Sequence, residues 1–415
     1  MTTTAAAVAE LTIDSIAAGG DGVAREAGRV VFVPRAARGD VLRVRLEAKG
    51  RFARGEILEL VQPSADRAPP PCPHYTADHC GGCQLQHISY DAQLAAKGQI
   101  VVETLARLGR RNVALEEVRP SAKAWRYRRK LTLAIRWTRD GGWIAGLHPY
   151  DAPDAVFALG DCPITDEAVV ATWRSIMEHS RLFPRVPRLR GAVRLLDTGA
   201  SFVLEGGRQW RDGEALMAAV PALRAVWWAP ENSRPRLVAQ RDERATTGAS
   251  FAQVNVAVGQ ALHDLVVARV AAYAPASVVD AYAGTGDTAV RFAADGARVT
   301  AIELDRAAAE FAATRLAAPS RSIRGRVEDH IGDALPADVV VINPPRSGID
   351  VQVATALQQA DPAPRAVVYV SCDPATLARD LTRMPRYRVA SAVAFDMFPQ
   401  TAHVETVCEL VPEVA

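Results

Sequence analysis

Six cysteines are the residues of this chain best suited to chemistry, and they fall into groups. Cys372, in "YVSCDPATLARD", follows a run of strand-forming residues. A cysteine there is a core hydrophobe, a metal ligand or a nucleophile. Ser371, Asp373 and Pro374 make the strand end polar, which weighs against the core. Cys72, Cys80 and Cys83, with Cys162 in "GDCPI", supply four thiolates. Four such ligands suit a structural zinc or a [4Fe–4S] cluster, and spacing alone favours zinc. The C-x3-C-x2-C of a radical enzyme is not present, and with four thiolates engaged no coordination site stays open for reaction. Cys408, in the apolar "ETVCELV", reads as a buried hydrophobe. His74, His79 and His87 read as surface or partner-contact groups rather than metal ligands.

A second constellation is built for a cofactor. "VVDAYAGTGDTAVRFA" reads as strand, glycine turn and helix, and Gly284 and Gly286 let the backbone pass close to a ligand at the helix N-terminus. The next strand, "VTAIELD", ends in Glu303, 17 residues after Gly286, where a carboxylate can accept both hydroxyls of a ribose. These features fit adenosylmethionine and NAD about equally. "VVVINPPRSG" separates them: a polar residue and two prolines at a later strand end serve no purpose in an NAD enzyme. Asn-Pro-Pro or Asp-Pro-Pro in that place marks methyltransferases that act on nucleobases.

These residues need a scaffold, and 415 residues are too many for one compact core. Residues 9–62 read as short strands broken by glycine, the pattern of a small barrel. Seven Lys/Arg against two acids between Arg35 and Arg54 give it a basic side. "QPSADRAPPPCPHY" halts regular structure and reads as a linker. A mixed region follows, with a helix over 89–109 and strands near 130–137, 192–197 and 201–205. From about 255 apolar strands alternate with helices, which predicts a parallel sheet covered on both faces. The expected fold class is α/β with an all-β N-terminal barrel and a mixed α+β centre. Its boundaries are 5–63, 64–245 and 246–415.

The chain closely resembles the RNA (uracil-5-)methyltransferase family over nearly its whole length. "SFAQVN", "DAYAGTG", "IELD", "NPPRSG", "SCDP" and "HVETV" stand in the family's order, and "CPHYTADHCGGCQLQH" resembles its iron–sulfur segment. The resemblance implies a TRAM domain of the oligonucleotide-binding type at the N-terminus and a Rossmann-like methyltransferase domain at the C-terminus. It implies adenosylmethionine contacts from Gln253, Tyr282, Gly284, Gly286, Glu303 and Asn343, with Cys372 as nucleophile and Glu405 as base. It also moves Cys72, Cys80, Cys83 and Cys162 from zinc to a [4Fe–4S] cluster. Two departures stand out. Asn343 occupies a place usually held by aspartate, keeping an acceptor oxygen without the charge. Seven residues separate Cys72 from Cys80, where five are usual.

A polyanion partner is written in the charge pattern. The net charge is only +2, yet eight Lys/Arg and no acid lie between Arg119 and Arg139, interleaved with Trp125, Tyr127 and Trp137. Arg181, Arg185, Arg188, Arg190 and Arg194 form a second acid-free cluster. Basic residues grip phosphates and aromatics stack on unpaired bases, although some of these aromatics are expected in the core. The N-terminus, with no basic start and no apolar core, argues against a signal peptide, and no apolar run is long enough to cross a bilayer, so a cytoplasmic location is expected; a monomer is expected as well. The family branch implies 23S ribosomal RNA as substrate. The T-loop of transfer RNA is the alternative within the enzyme class, and a non-catalytic RNA-binding or assembly factor is the alternative outside it.

Overall fold

The computed structural model describes residues 7–241 and 253–413, so Ser250, Phe251 and Ala252 of "SFAQVN" lie outside it. Glycine-punctuated runs at the N-terminus make β1 (Val8–Thr12), β2 (Ser15–Ile16), β3 (Gly22–Glu26), β4 (Arg29–Val33), β5 (Val41–Lys49) and β6 (Phe52–Gln62). They pair in the order β1-β5-β6-β4-β3-β2 around Leu11, Ile13, Val31, Val33, Leu42 and Val44. Among the described residues no ladder joins β1 to β2, so the pairing is that of an open sheet rather than a closed barrel. β1 packs back against β3, which curls the sheet over its core.

The next stretch holds the short α1 (Pro73–Ala77), α2 (Tyr90–Arg107) and β7 (Glu117–Arg119). Ser89 caps α2, its hydroxyl accepting the N–H of Ala92 at 3.3 Å. A mixed sheet follows: β8 (Lys130–Trp137), β9 (Trp143–Leu147), β10 (Phe157–Ala158), β11 (Arg188–Leu195), β12 (Ala200–Glu205), β13 (Leu223–Ala229) and β14 (Arg236–Gln240). Its order is β10-β9-β8-β11-β12-β13-β14. Two helices, α3 (Glu167–Glu178) and α4 (Gly213–Ala219), accompany it. β11 starts four residues before the apolar run expected at 192–197. Arg188 and Arg190 point outward there while Leu189 is buried, an alternation that a search for continuous apolar residues overlooks.

From α5 (Val256–Ala271) onward helices and strands alternate: β15 (Ser277–Ala281), α6 (Asp287–Ala294), β16 (Arg298–Glu303), α7 (Arg306–Arg315), β17 (Arg321–Arg324) and α8 (Val327–Ala334). Then come β18 (Val339–Ile342), α9 (Val351–Gln359), β19 (Ala366–Ser371), α10 (Pro374–Thr382), β20 (Tyr387–Phe395) and β21 (Glu405–Pro412). The sheet order is β17-β16-β15-β18-β19-β21-β20-β7, with β21 antiparallel to both neighbours. β18 and β19 are buried along their whole length, as strands covered on both faces must be. The surprise is at the edge. β7 adds an eighth strand parallel to β20, and α2 packs against α10, so residues 90–119 complete the C-terminal layer rather than the middle one.

Candidate active site

β15 hands the chain into a turn of unusual backbone. Tyr282 (φ 63°), Gly284 (φ 55°) and Gly286 (φ 78°) all adopt the left-handed region before α6 begins. A tyrosine held there is strained, and such strain gathers where a ligand is gripped. At Gly286 a Cβ would come within 2.9 Å of Ala312, so only glycine lets α6 lie this close to α7. Glu303, ending β16, accepts the N–H groups of Gly284 (2.8 Å) and Asp305 (2.6 Å). A carboxylate has room for about four such bonds, so acceptor capacity remains for a ligand. Asp280, fully buried one residue before the end of β15, takes the Thr288 hydroxyl at 2.7 Å, and burial pushes its carboxyl up to about 7.

Asn343 follows β18 directly, is exposed, and donates its backbone N–H to Ala281 at 3.3 Å, which sets it beside the β15 turn. Gln253 is half-buried against α5, where a Cβ on Gly259 would meet its Cγ at 2.9 Å.

Cys372 and Glu405 come together across two strand ends. Ser371 pairs with Thr406 in the antiparallel ladder of β19 and β21, so one step further Cys372 faces Glu405. Cys372 is half-buried and Glu405 only 9% exposed. Burial pushes the Glu405 carboxyl up to about 7, and the Arg346 guanidinium pulls against it. The Cys372 thiol is raised by burial first and then by the Glu405 charge, with Arg346 again opposing. Asp373 explains the Asp-Pro pair that follows the cysteine: its side chain accepts the Thr376 N–H at 2.8 Å and caps α10, whose first residue is Pro374.

Arg346 was not singled out as a site residue, although it lies in "NPPRSG". Its loop is tied to α10: Thr376 donates to the Arg346 carbonyl (3.1 Å), Arg379 to that of Ser347 (2.6 Å), and Ile349 N–H to Asp380 (2.9 Å). Asp380, fully buried, also takes the Tyr369 hydroxyl at 2.7 Å. One carboxylate therefore joins the Asn-Pro-Pro loop, the cysteine strand and the helix after it.

The profile of the tRNA (uracil-5-)methyltransferase family matches residues 321–411, which include Asn343, Cys372 and Glu405. An RNA methyltransferase of Thermosynechococcus vestitus is 31% identical, spanning 97% of this chain and 98% of its own. The 23S rRNA (uracil(1939)-C(5))-methyltransferase RlmD of Pseudomonas putida is 31% identical over 95% of this chain and 92% of that one. The chain belongs to the RNA (uracil-5-)methyltransferase family. Its fold agrees: the Pyrococcus abyssi tRNA (uracil-54, C5)-methyltransferase, solved with S-adenosyl-L-homocysteine, aligns over 97% of this chain and 99% of its own with a TM-score of 0.71 at 23% identity.

Two further features of this uracil-5-methyltransferase lie outside the cleft. Cys72, Cys80, Cys83 and Cys162, all buried, line one cavity of about 70 Å³ whose other walls include Leu131, Leu147, Leu159 and Ile164. Burial raises the Cys80 thiol to about 11, and the neighbouring thiols push it the same way. Among the described residues no set of three or more His, Cys, Asp or Glu is arranged to hold a single metal ion. Of the nearby histidines, His79 is exposed beside Asp151 and His74 pairs with Asp78 at 2.7 Å. His87 departs from its expected surface place: it is buried, bonded to Tyr75 at 2.7 Å, and desolvation pulls it down to about 4.

The second feature is a basic stripe. β8 and β11 pair antiparallel, setting Arg188 opposite Arg136 and Arg194 opposite Lys130. Lys130 and Arg136 of the first basic cluster and Arg188, Arg190 and Arg194 of the second thus share one face of the middle sheet. Trp137 stays half exposed at its end, edge-on to Trp143, whereas Tyr127 is buried.

Proposed function

We propose that the protein methylates carbon 5 of a uridine in RNA, with adenosylmethionine as donor and a transient bond between Cys372 and the base. The facing of Cys372 and Glu405, at the same end of the parallel strands as the β15 turn and with only β18 between, carries this reading. Carbon 5 of uracil is a poor nucleophile. Attack of the Cys372 thiolate on carbon 6 makes carbon 5 enolate-like, able to take the methyl group. Carbon 5 then bears both a methyl and a proton. Glu405 removes the proton, the double bond re-forms, and the thiolate leaves. A buried carboxyl near neutrality suits that task. Glu303 receives the ribose hydroxyls of the donor. Tyr282, Gly284, Gly286 and Gln253 shape the rest of its seat, with Asn343 between donor and base.

The substrate proposed is 23S ribosomal RNA, supported by full-length relatives named for that activity. Mapping 5-methyluridine in ribosomal and transfer RNA from a deletion strain separates it from transfer RNA. Cys72, Cys80, Cys83 and Cys162 are proposed to hold a [4Fe–4S] cluster. Four buried thiols lining one greasy cavity are the donor set such a group needs. With every thiolate engaged, its contribution is cross-linking rather than reaction. A curled N-terminal sheet of TRAM type and the basic stripe are proposed to hold the RNA.

The two reacting residues should fail differently. Cys372→Ala is expected to bind RNA and donor without methyl transfer or adduct. Glu405→Gln is expected to transfer the methyl and stall, leaving protein joined to methylated RNA on a denaturing gel. Methylation by Cys372→Ala, or normal turnover by Glu405→Gln, overturns the assignment, and a wild-type protein that binds RNA without methylating it would return the chain to the non-catalytic alternative.

A further inference from the structure

The loop from residue 396 to 404 delivers Glu405 to the cleft, and it is held from outside. Four consecutive carbonyls take donors from distant parts of the chain. Met397 accepts from Asn255 (3.4 Å), Phe398 from Lys97 (3.0 Å) and Pro399 from the Tyr127 hydroxyl (3.1 Å). Gln400 accepts two, from the N–H groups of Gln84 (3.1 Å) and Leu85 (3.0 Å). Gln400 itself sits at φ 71° and is 2% exposed. Its amide oxygen and backbone N–H exchange two bonds of 2.9 Å with the side chain of Gln93. A left-handed glutamine persists only where its surroundings over-determine it. Here they do, and Gln84, next to Cys83, adds a bond to the Ala402 N–H at 3.4 Å.

Buried carbonyls must find donors. What is unusual is where these donors come from and what they leave alone. Cys372 is fixed by β19 and the Asp373 cap, and the Tyr282–Gly286 turn and Glu303 of the donor seat by β15 and β16; among the described residues none of these hydrogen-bonds to the side chain of Gln84, Gln93, Lys97 or Tyr127. The loop they grip leads to Glu405.

We propose that Gln84, Gln93, Lys97 and Tyr127 are positioning residues for proton removal, acting through residues 397–400. In that step the Glu405 carboxylate takes the proton from carbon 5. The C–H electron pair becomes the C5–C6 double bond, and the C6–S bond breaks with its pair going to Cys372. Methyl transfer, which precedes it, needs none of these four. The proposal rests on Glu405 being the base.

The test uses the full-length protein, methyl-labelled donor and a 23S rRNA fragment. Tyr127→Phe removes one hydroxyl and Gln93→Met replaces an amide by an apolar chain of similar length. Each is compared with Glu405→Gln for methyl incorporated and for adduct on a denaturing gel. The expected result is methyl transfer near the wild-type rate with adduct release slowed by about tenfold or more, because small misplacements of a base cost that much. Thermal unfolding shows whether Gln93→Met has kept its fold; Tyr127→Phe loses too little to unfold and decides the matter alone if it has not. Unchanged release in the folded variants, or equal slowing of transfer and release, overturns the positioning role while Glu405→Gln still stalls. Absence of adduct in Glu405→Gln overturns the base assignment and this proposal with it.

Discussion

Glu405 is a carboxyl that titrates near neutrality, and two measurable properties follow. Proton removal needs the carboxylate, so adduct release is expected to fall about tenfold for each pH unit below the titration point near 7. A release rate flat down to pH 5 would contradict this. Stability moves the opposite way. The folded protein holds the proton up to about 7 while the free carboxyl loses it at 4.5, so burying Glu405 costs nothing at low pH. The full cost, roughly 3 kcal/mol, appears above pH 7. Glu405→Gln should therefore be more stable than wild type at pH 8 and nearly equal to it at pH 5, as denaturant titration can show. Cys372 and Glu405 were legible from motifs, because chemistry fixes their types and neighbours. Asp280, Arg346 and Asp380 were not, although all three stand in the quoted stretches. Their importance comes from the groups that converge on them, and sequence order does not reveal convergence.

Elements tell the same story through register. Composition gave two basic clusters about fifty residues apart, and only the pairing of β8 with β11 shows that Lys130 and Arg136 join Arg188, Arg190 and Arg194 in one stripe. Like charges directly opposite destabilise a sheet, so a partner must justify Arg188 against Arg136 and Arg194 against Lys130. Lys130→Ala combined with Arg188→Ala relieves one member of each pair. The double variant should fold at least as stably as wild type and bind RNA less tightly. Its slope of log affinity against log salt should fall by about 1.5, the loss of two phosphate contacts. An unchanged slope would remove the stripe from the RNA path. β7 carries the same lesson: three residues are too few to announce a strand, and their partner β20 is some 270 residues away.

For the molecule as a whole, the cysteine cavity is the junction. Arg35 from the N-terminal region donates to the carbonyls of Tyr75 and Cys80, its guanidinium 4.0 Å from the Tyr75 ring and 4.5 Å from that of Tyr150. Just past Cys83, Gln84 and Leu85 hold the loop to Glu405. Protein purified without oxygen is expected to be brown, with iron and sulfide in stoichiometric amount; zinc without iron would overturn the cluster. Four cysteines in one cavity could be read from the sequence, whereas what the cavity joins could not. That joining has a consequence for how the protein is made. Lys97 and Asp396, both fully buried, are separated by 299 residues, and Gln93 and Gln400 by 307. The lysine of α2 is thus translated 299 residues before its counter-charge. A buried charge without its partner is strongly unfavourable, and contacts of such long range form slowly. The helix is therefore expected to stay undocked, open to proteases or chaperones, until the loop between β20 and β21 has been translated.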